Sequence, residues 1–190
     1  MKIAHKSLAL LALLLPAVPA QALEYDQFQP AQSSVGFVFR QMNVPVSGSF
    51  KRFSGEVSFD PARPARAKAR LQIDLASVDA GSDEANDAVV DKPWFNTATF
   101  PTATFVASAV RPVGHDRYEV DGKMTVKGRT VAVKAPAAFR QEGALGVFEG
   151  TVEIRRADFS IGEGSWAAFD TVANEVQIRF KLVASAAGKK

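Results

Sequence analysis

The sequence predicts an all-β fold, eight antiparallel strands closed into a barrel, with one short helix. Three observations predict it: apolar residues recur with period two along most of the chain, turn-forming clusters separate these runs, and only one stretch carries the start and stop signals of a helix. The alternation is plainest over residues 67–75, Ala67-Lys68-Ala69-Arg70-Leu71-Gln72-Ile73-Asp74-Leu75. Every odd position there is apolar and every even one is charged or amide-bearing, as in a strand with one dry and one wet face.

The elements follow in order. Residues 1–22 read as a cleaved secretory leader: Lys2, His5 and Lys6, the apolar run Leu8 to Val18, then Ala20-Gln21-Ala22 in the small-x-small form of a cleavage site. The run is short for a membrane span, which sets the alternative of an uncleaved anchor aside, and the expected product is a periplasmic domain of residues 23–190. Strands are then predicted around Val35/Phe37/Phe39, Phe53/Gly55/Val57/Phe59 and Ala67 to Leu75. More follow around Ala103/Phe105/Ala107, Tyr118/Val120/Gly122/Met124/Val126, Val131/Val133/Ala135, Phe148/Gly150/Val152/Ile154 and Val176/Ile178/Phe180/Leu182. Placing Gly122 inside its strand keeps the alternation, so Asp121-Gly122 is not read as a hairpin turn. Turns fall at Pro61 to Pro64, Gly114-His115-Asp116, Lys127-Gly128-Arg129, Glu142-Gly143 and Gly162 to Asp170. The helix spans residues 83–90, capped by Ser82, with Asp83 and Glu84 in its first turn and Pro93 beyond its end. Closure into a barrel removes the exposed edges that a two-sheet sandwich, the alternative with the same periodicity, would keep. The tail Ala184 to Lys190 is expected to fray.

Composition excludes several functions. The 23 basic residues include Lys2 and Lys6 of the leader, so the mature chain is near neutral against its 20 acidic residues, and no clustered basic patch for nucleic acid is present. There is no Cys, hence neither disulfide nor thiol chemistry. His115 stands alone in a turn, without the partners that a zinc site or a Ser triad requires. Gly162-Glu163-Gly164-Ser165 lacks the Lys of a phosphate loop, and Asp158, Glu163 and Asp170 carry no spacing that makes them a hydrolytic pair. A non-enzymatic protein with no metal and no cofactor is expected. All 14 Phe lie in the mature part, largely on inward strand positions, among small residues (Gly36, Gly55, Ala67, Ala69, Ala103, Ala107, Ala135, Gly150) that leave volume unfilled. That pattern fits either plain core or a barrel holding an apolar ligand.

The order of motifs narrows the choice. "SSVGFVFR" at 33–40, "GSFKRFSGEVSFDP" at 48–61, "IDLASVDAG" at 73–81, "DKPWFNTATFPTATF" at 91–105, "YEVDGKMTVKGRTVAV" at 118–133 and "IRRADFSIGEG" at 154–164 together resemble the YceI-like family of exported lipid-binding proteins. The resemblance implies a lipocalin-like antiparallel barrel around a long polyisoprenoid chain, the tail of a quinone or an isoprenyl phosphate. It implies that the segment 91–105 follows a short helix and leads into a strand walling a hydrophobic tunnel. On that reading the ligand contacts are Phe37, Phe39, Phe53, Val57, Phe59, Leu71, Ile73, Phe105, Met124, Phe148 and Ile154 from the strands. Trp94, Phe95, Phe100, Phe159 and Trp166 join them from the connections, with Trp94, Phe95 and Trp166 at the rim as gates or plugs. Family members often carry His on either side of the first Ser-x-Val motif, where this chain has Gln32 and Gln41-Met42, so no headgroup role carries over from those histidines. Arg156, by parity with Val152 and Ile154, points inward. It is either a headgroup contact or, the favoured reading, a structural partner of Asp158 or another acid. The expected partner is an isoprenoid lipid or quinone. A role as accessory module to a membrane cytochrome b in quinone electron transfer is the alternative, and a homodimer is left open.

Overall fold

The computed structural model describes residues 23–186; the leader predicted at residues 1–22 lies outside them. Eleven strands form one antiparallel sheet: β1 (Tyr25–Phe28), β2 (Ser34–Gln41), β3 (Val44–Phe50), β4 (Phe53–Ser58), β5 (Lys68–Asp74), β6 (Val78–Asp79), β7 (Thr102–Gly114), β8 (Arg117–Val126), β9 (Arg129–Glu142), β10 (Leu145–Arg155) and β11 (Glu175–Ala186). Their order is β4-β5-β7-β8-β9-β10-β11-β2-β3-β6, and β1 pairs separately with β11. Tyr25 and Phe59 exchange backbone hydrogen bonds of 2.9 and 3.1 Å, which brings β1 from β11 against the end of β4 and curls the sheet on itself. The result is a lipocalin-like barrel.

The eight predicted strands are present, and three more accompany them. Strand β3 escapes the period-two pattern because Val44-Pro45-Val46-Ser47-Gly48 carries a proline and a glycine. It tolerates them as a near-edge strand, paired along its length with β2 but on its other side only with the two residues of β6. The hairpin joining β2 and β3 turns through Met42 and Asn43, both at positive φ, without a glycine to announce it. Strand β1 has four residues, too few for an alternation to register. Ala184 to Ala186 are not frayed. They belong to β11, paired with both β1 and β10, and Ala184 is fully buried.

Gly122 sits inside β8 opposite Ala107, because the Phe105 ring occupies the space where a Cβ would stand. The β9–β10 ladder ends at Ala138–Glu149. Phe139 donates to Asp116 on the β8 side, so by alternation Pro136 faces β10, and it has no N–H to continue the ladder. Its carbonyl instead abuts Gly150, where a Cβ would collide with that oxygen and with the Phe180 ring.

One short helix, α1 (Asp83–Val90), lies where predicted; the Ser82 hydroxyl accepts from the Ala85 N–H at 3.2 Å and caps it. At one end of the barrel Phe59 packs against Tyr118, Phe139 and Phe148 at ring-centroid distances of 5.2, 4.9 and 5.0 Å, with Tyr25 on Phe139 at 5.4 Å. This buried aromatic cluster fills the barrel at that end. Tyr25 is wholly inaccessible, and its hydroxyl has no hydrogen-bond partner among the described residues. Burial raises the pKa of that phenol.

Candidate functional site

Two cavities run along the barrel interior. The outer lobe, about 270 Å³, lies at the α1 end, and the inner lobe, about 130 Å³, borders the aromatic cluster. Val35, Leu71, Phe105, Met124 and Ile178 line both, so the two lobes adjoin at these residues. The strands place them by simple alternation: in register across the sheet, Leu71 faces Phe105 and Phe105 faces Met124, all on the inner side.

The predicted contacts divide into four groups. Phe37, Phe39, Ile73, Trp94, Phe95, Ile154, Arg156 and Trp166 line the outer lobe, and Leu71, Phe105 and Met124 line both. Val57, Phe59 and Phe148 line the inner lobe. Phe53, Phe100 and Phe159 border neither cavity. Phe53 packs on Phe28, Phe100 lies against Gly128 of the β8–β9 turn, and Phe159 is 1% exposed within the core. Of the small residues expected to leave volume, Gly55, Ala67, Ala69, Ala103 and Ala135 line the tunnel. Gly36, Ala107 and Gly150 do not: Gly36 is on the face that carries Arg179 and Ser49, and the space beside Gly150 is taken by the Pro136 carbonyl and the Phe180 ring. The sequence reading missed Phe50 and the α1 residues Ala85, Ala88 and Val89, which also line the outer lobe. The helix signal for the last three was their i, i+3, i+4 spacing.

The mouth is built from loops, and two buried cations hold them. Strand β10 ends at Arg155, and residues 156–159 turn as a single 3₁₀ segment, closed by Ser160 at positive φ. Arg156 is 2% exposed. Its Nε donates to the Ala173 carbonyl at 3.1 Å, Nη1 to Ile161 and Gly162 at 2.8 and 3.0 Å, and Nη2 to Trp166, Ala168 and Val172 at 2.8, 3.1 and 2.9 Å. This corrects the expected acid pairing: no carboxylate among the described residues lies within ion-pair distance of Arg156, and peptide carbonyls take its place. A planar fork with five N–H donors can satisfy many acceptors of one folded loop at once, which a carboxylate cannot. Burial pulls the guanidinium below its ordinary pKa, yet such a group stays charged. The rings of Trp94 and Phe169 lie 5.8 and 5.0 Å from its carbon.

Lys127 plays a parallel part. Its buried Nζ donates at 2.8 Å to the carbonyls of Lys92 and Ser160 and to Glu163 Oε2, joining the turn after α1 to the loop after β10. The ammonium holds the Glu163 carboxyl below the usual carboxylate range. Gly162 and Glu163 also donate their backbone N–H groups to the Pro93 carbonyl, at 2.8 and 2.9 Å. These ties set Trp94 against Trp166, centroids 5.5 Å apart, at the rim. Beside them the β2–β3 hairpin is joined to the same loop by Met42 N–H to Thr171 O at 2.8 Å, and Met42, Val44 and Phe169 stand exposed there. None of His115, Asp158, Glu163 and Asp170 lines either lobe.

Residues 27–184 match the model of the YceI-like domain. The chain belongs to the YceI-like family. A UPF0312 protein of Azotobacter vinelandii is 32% identical over 167 residues, covering 82% of this chain and 87% of the relative. Among solved structures, BcnA of Burkholderia cenocepacia superposes with a TM-score of 0.82 at 46% identity, covering 84% of this chain and all of that one. A polyisoprenoid-binding domain from Saccharophagus degradans, implicated in plant cell wall breakdown, superposes with a TM-score of 0.65 at 21% identity, over 87% of this chain and 99% of that one. At that identity the second likeness speaks for the YceI-like fold alone.

Proposed function

We propose that this YceI-like chain carries or stores a long-chain isoprenoid lipid, a polyprenyl or quinone tail, inside its barrel in the periplasm. The observation that carries the reading is the pair of adjoining cavities along the barrel interior, walled almost wholly by apolar side chains and sharing Phe105 and Met124. Burying each methylene there is worth about 0.8 kcal/mol, so a long tail binds by length and shape without polar recognition along its course. The Saccharophagus degradans neighbour is a polyisoprenoid-binding domain, and the family link lends that role weight here. The periplasmic setting rests on the leader read in residues 1–22.

The test is to express the precursor in a bacterial host, isolate the mature form from the periplasm, and analyse it by native mass spectrometry and organic extraction. An extractable polyprenyl species near one per chain is expected. Substituting Met124→Trp, which fills the junction of the lobes, should lower that occupancy while the fold persists. A barrel found empty in repeated preparations would overturn the reading.

A further inference from the structure

We infer that the mouth of the barrel docks on an anionic bilayer, the tip of the β2–β3 hairpin and the loop bonded to it entering the headgroup layer. The inference goes beyond the carrier reading and concerns the outer surface. Its first support is where the exposed apolar side chains stand. Among the described residues six large hydrophobic side chains are exposed, and three of them, Met42 at 74%, Val44 at 61% and Phe169 at 50%, fall on this hairpin and loop. Singly exposed apolar residues need no explanation, whereas a cluster does. The two segments are joined by the Met42 N–H to the Thr171 carbonyl at 2.8 Å and the Ala173 N–H to the Arg40 carbonyl at 2.9 Å. Residues 41–46 and 164–169 are mostly exposed, yet they carry no charge in a chain that is 23% charged.

The second support is the backbone of Met42. It takes the first position of a two-residue hairpin turn at φ 49°, with Asn43 at 65°. Glycine, asparagine or aspartate suits that left-handed position, and a long apolar side chain there is disfavoured. Met42 gains little packing in return, being the most exposed of the large hydrophobic residues described. Folding stability alone does not account for a methionine at this point; contact with an apolar phase outside the protein does.

Charge sets the occupant. Arg40, Lys92 and Arg129 are exposed at this end of the barrel and form no ion pair among the described residues. Arg40 leads into the hairpin, Lys92 precedes the Pro93 carbonyl that holds Gly162 and Glu163, and Arg129 is close enough to Glu163 to stabilise its carboxylate. Of the carboxylates here, Glu163 is paired with Lys127, and Asp91 and Asp170 each accept the backbone N–H of the next residue. Asp83, Glu84 and Asp87 belong to the part of α1 beside β6, which pairs at the Phe50 end of β3. That is about 20 Å along the strand from Val44, beyond the screening length of about 10 Å at 0.1 M salt. Unpaired arginine and lysine around exposed apolar side chains match a phosphate surface lying over hydrocarbon. A protein partner would need about 800 Å² from each side, more than three side chains on a hairpin tip and a loop present. Gln41, Trp166 and Val172 of the same segments line the outer lobe, so docking sets the cavity against the bilayer.

The mature chain is mixed with vesicles of phosphatidylcholine, with and without phosphatidylglycerol, and its partition is measured by sedimentation. Binding to the mixed vesicles is expected, weaker at high salt and weaker to phosphatidylcholine alone. Met42→Asn with Val44→Thr suits the turn and the strand, so the urea midpoint should hold or rise while the partition coefficient falls at least about fivefold. Val113→Thr, at an equally exposed position in the β7–β8 hairpin, should leave it unchanged. Lys92→Gln with Arg129→Gln should weaken binding to the mixed vesicles by about tenfold or more. Binding to neither vesicle, or binding that the hairpin substitutions leave intact, would overturn the inference. Equal binding to both vesicles, or no effect of the two glutamines, would overturn the anionic surface. Dimerisation in sedimentation velocity that the hairpin substitutions abolish, without vesicle binding, would replace the bilayer by a second copy of the chain. The lipid extraction described above reads the interior, so the carrier reading stands or falls separately.

Discussion

Replacing Arg156 by Met removes the donor for six carbonyls and leaves an apolar side chain of similar length in its place. Three of those bonds, to Ile161, Gly162 and Val172, are buried, and the other three are partly so. A buried acceptor left unpaired costs about 1–3 kcal/mol, so the three buried carbonyls alone set a scale of roughly 3–9 kcal/mol. The loop from Ile161 to Ala173 is at the barrel mouth and relaxes toward water, which places the expected loss near the low end, about 3–5 kcal/mol. That is a large share of the roughly 5–15 kcal/mol by which a domain is stable. Urea unfolding followed by tryptophan fluorescence and far-ultraviolet circular dichroism should show the midpoint lowered by roughly 1.5–2.5 M, taking a slope of about 2 kcal/mol/M. Arg156→Lys keeps the charge but not the fork, and should fall between the two proteins. A loss under about 1 kcal/mol in Arg156→Met would refute the capping role, since it would mean that the carbonyls find other donors at little cost. Unchanged stability in Arg156→Lys together with lost cargo would instead make the guanidinium a ligand contact.

Three further outcomes are expected. Tyr25→Phe deletes a buried hydroxyl that has no partner among the described residues and should leave stability equal or raise it by up to about 1 kcal/mol in the same urea assay; a clear loss would reveal a bond this geometry does not contain. Gly150→Ala places a methyl against the Pro136 carbonyl and the Phe180 ring and should cost about 1–3 kcal/mol, whereas Gly143→Ala, where no atom lies near the added carbon, should show only the strain of its positive φ. Lys127 depresses the Glu163 pKa, so the stabilisation from this pair is fully present above the ordinary value of 4.5 and is lost as pH falls through the lower folded-state value. The melting-temperature gap between the wild type and Glu163→Gln should therefore be widest at neutral pH and vanish in strong acid, and a gap independent of pH would contradict the pairing.

The sheet was legible where one face is dry and the other wet. Strands β5 and β8 alternate without interruption, and Gly122 could be assigned to β8 from parity alone. Legibility failed where pairing, rather than side-chain pattern, makes the strand. Val44–Phe50 is extended because β2 lies beside it, and Ala184–Ala186 because β1 and β10 do, and neither partner leaves a trace in the local sequence. The tunnel walls were largely readable from the same parity. The mouth was not. That Arg156 would be buried followed from its inward position, but its partners are main-chain atoms of residues 161–173, which carry no sequence signature. Phe159 and Phe100 failed as tunnel contacts for a related reason. They leave the strand register, one in the 3₁₀ turn and the other before β7, so alternation no longer sets their direction.

Stability and specificity meet at this mouth. The connections that rim the tunnel carry more peptide carbonyls than their short turns can satisfy, and the chain has no disulfide to hold them. Arg156 and Lys127 supply donors for them, and their N–H groups are taken up by the loop carbonyls and Glu163. A mouth organised by free arginines would bind phosphates and would need another device to order its loops. Here the two cations order the loops while the cavity wall stays almost wholly apolar. The exposed Met42, Val44 and Phe169 continue the apolar surface outward from the rim. Loop order and cavity shape thus rest on largely separate residues, Arg156 and Lys127 for the one and the apolar strand positions for the other, and substitution can separate them.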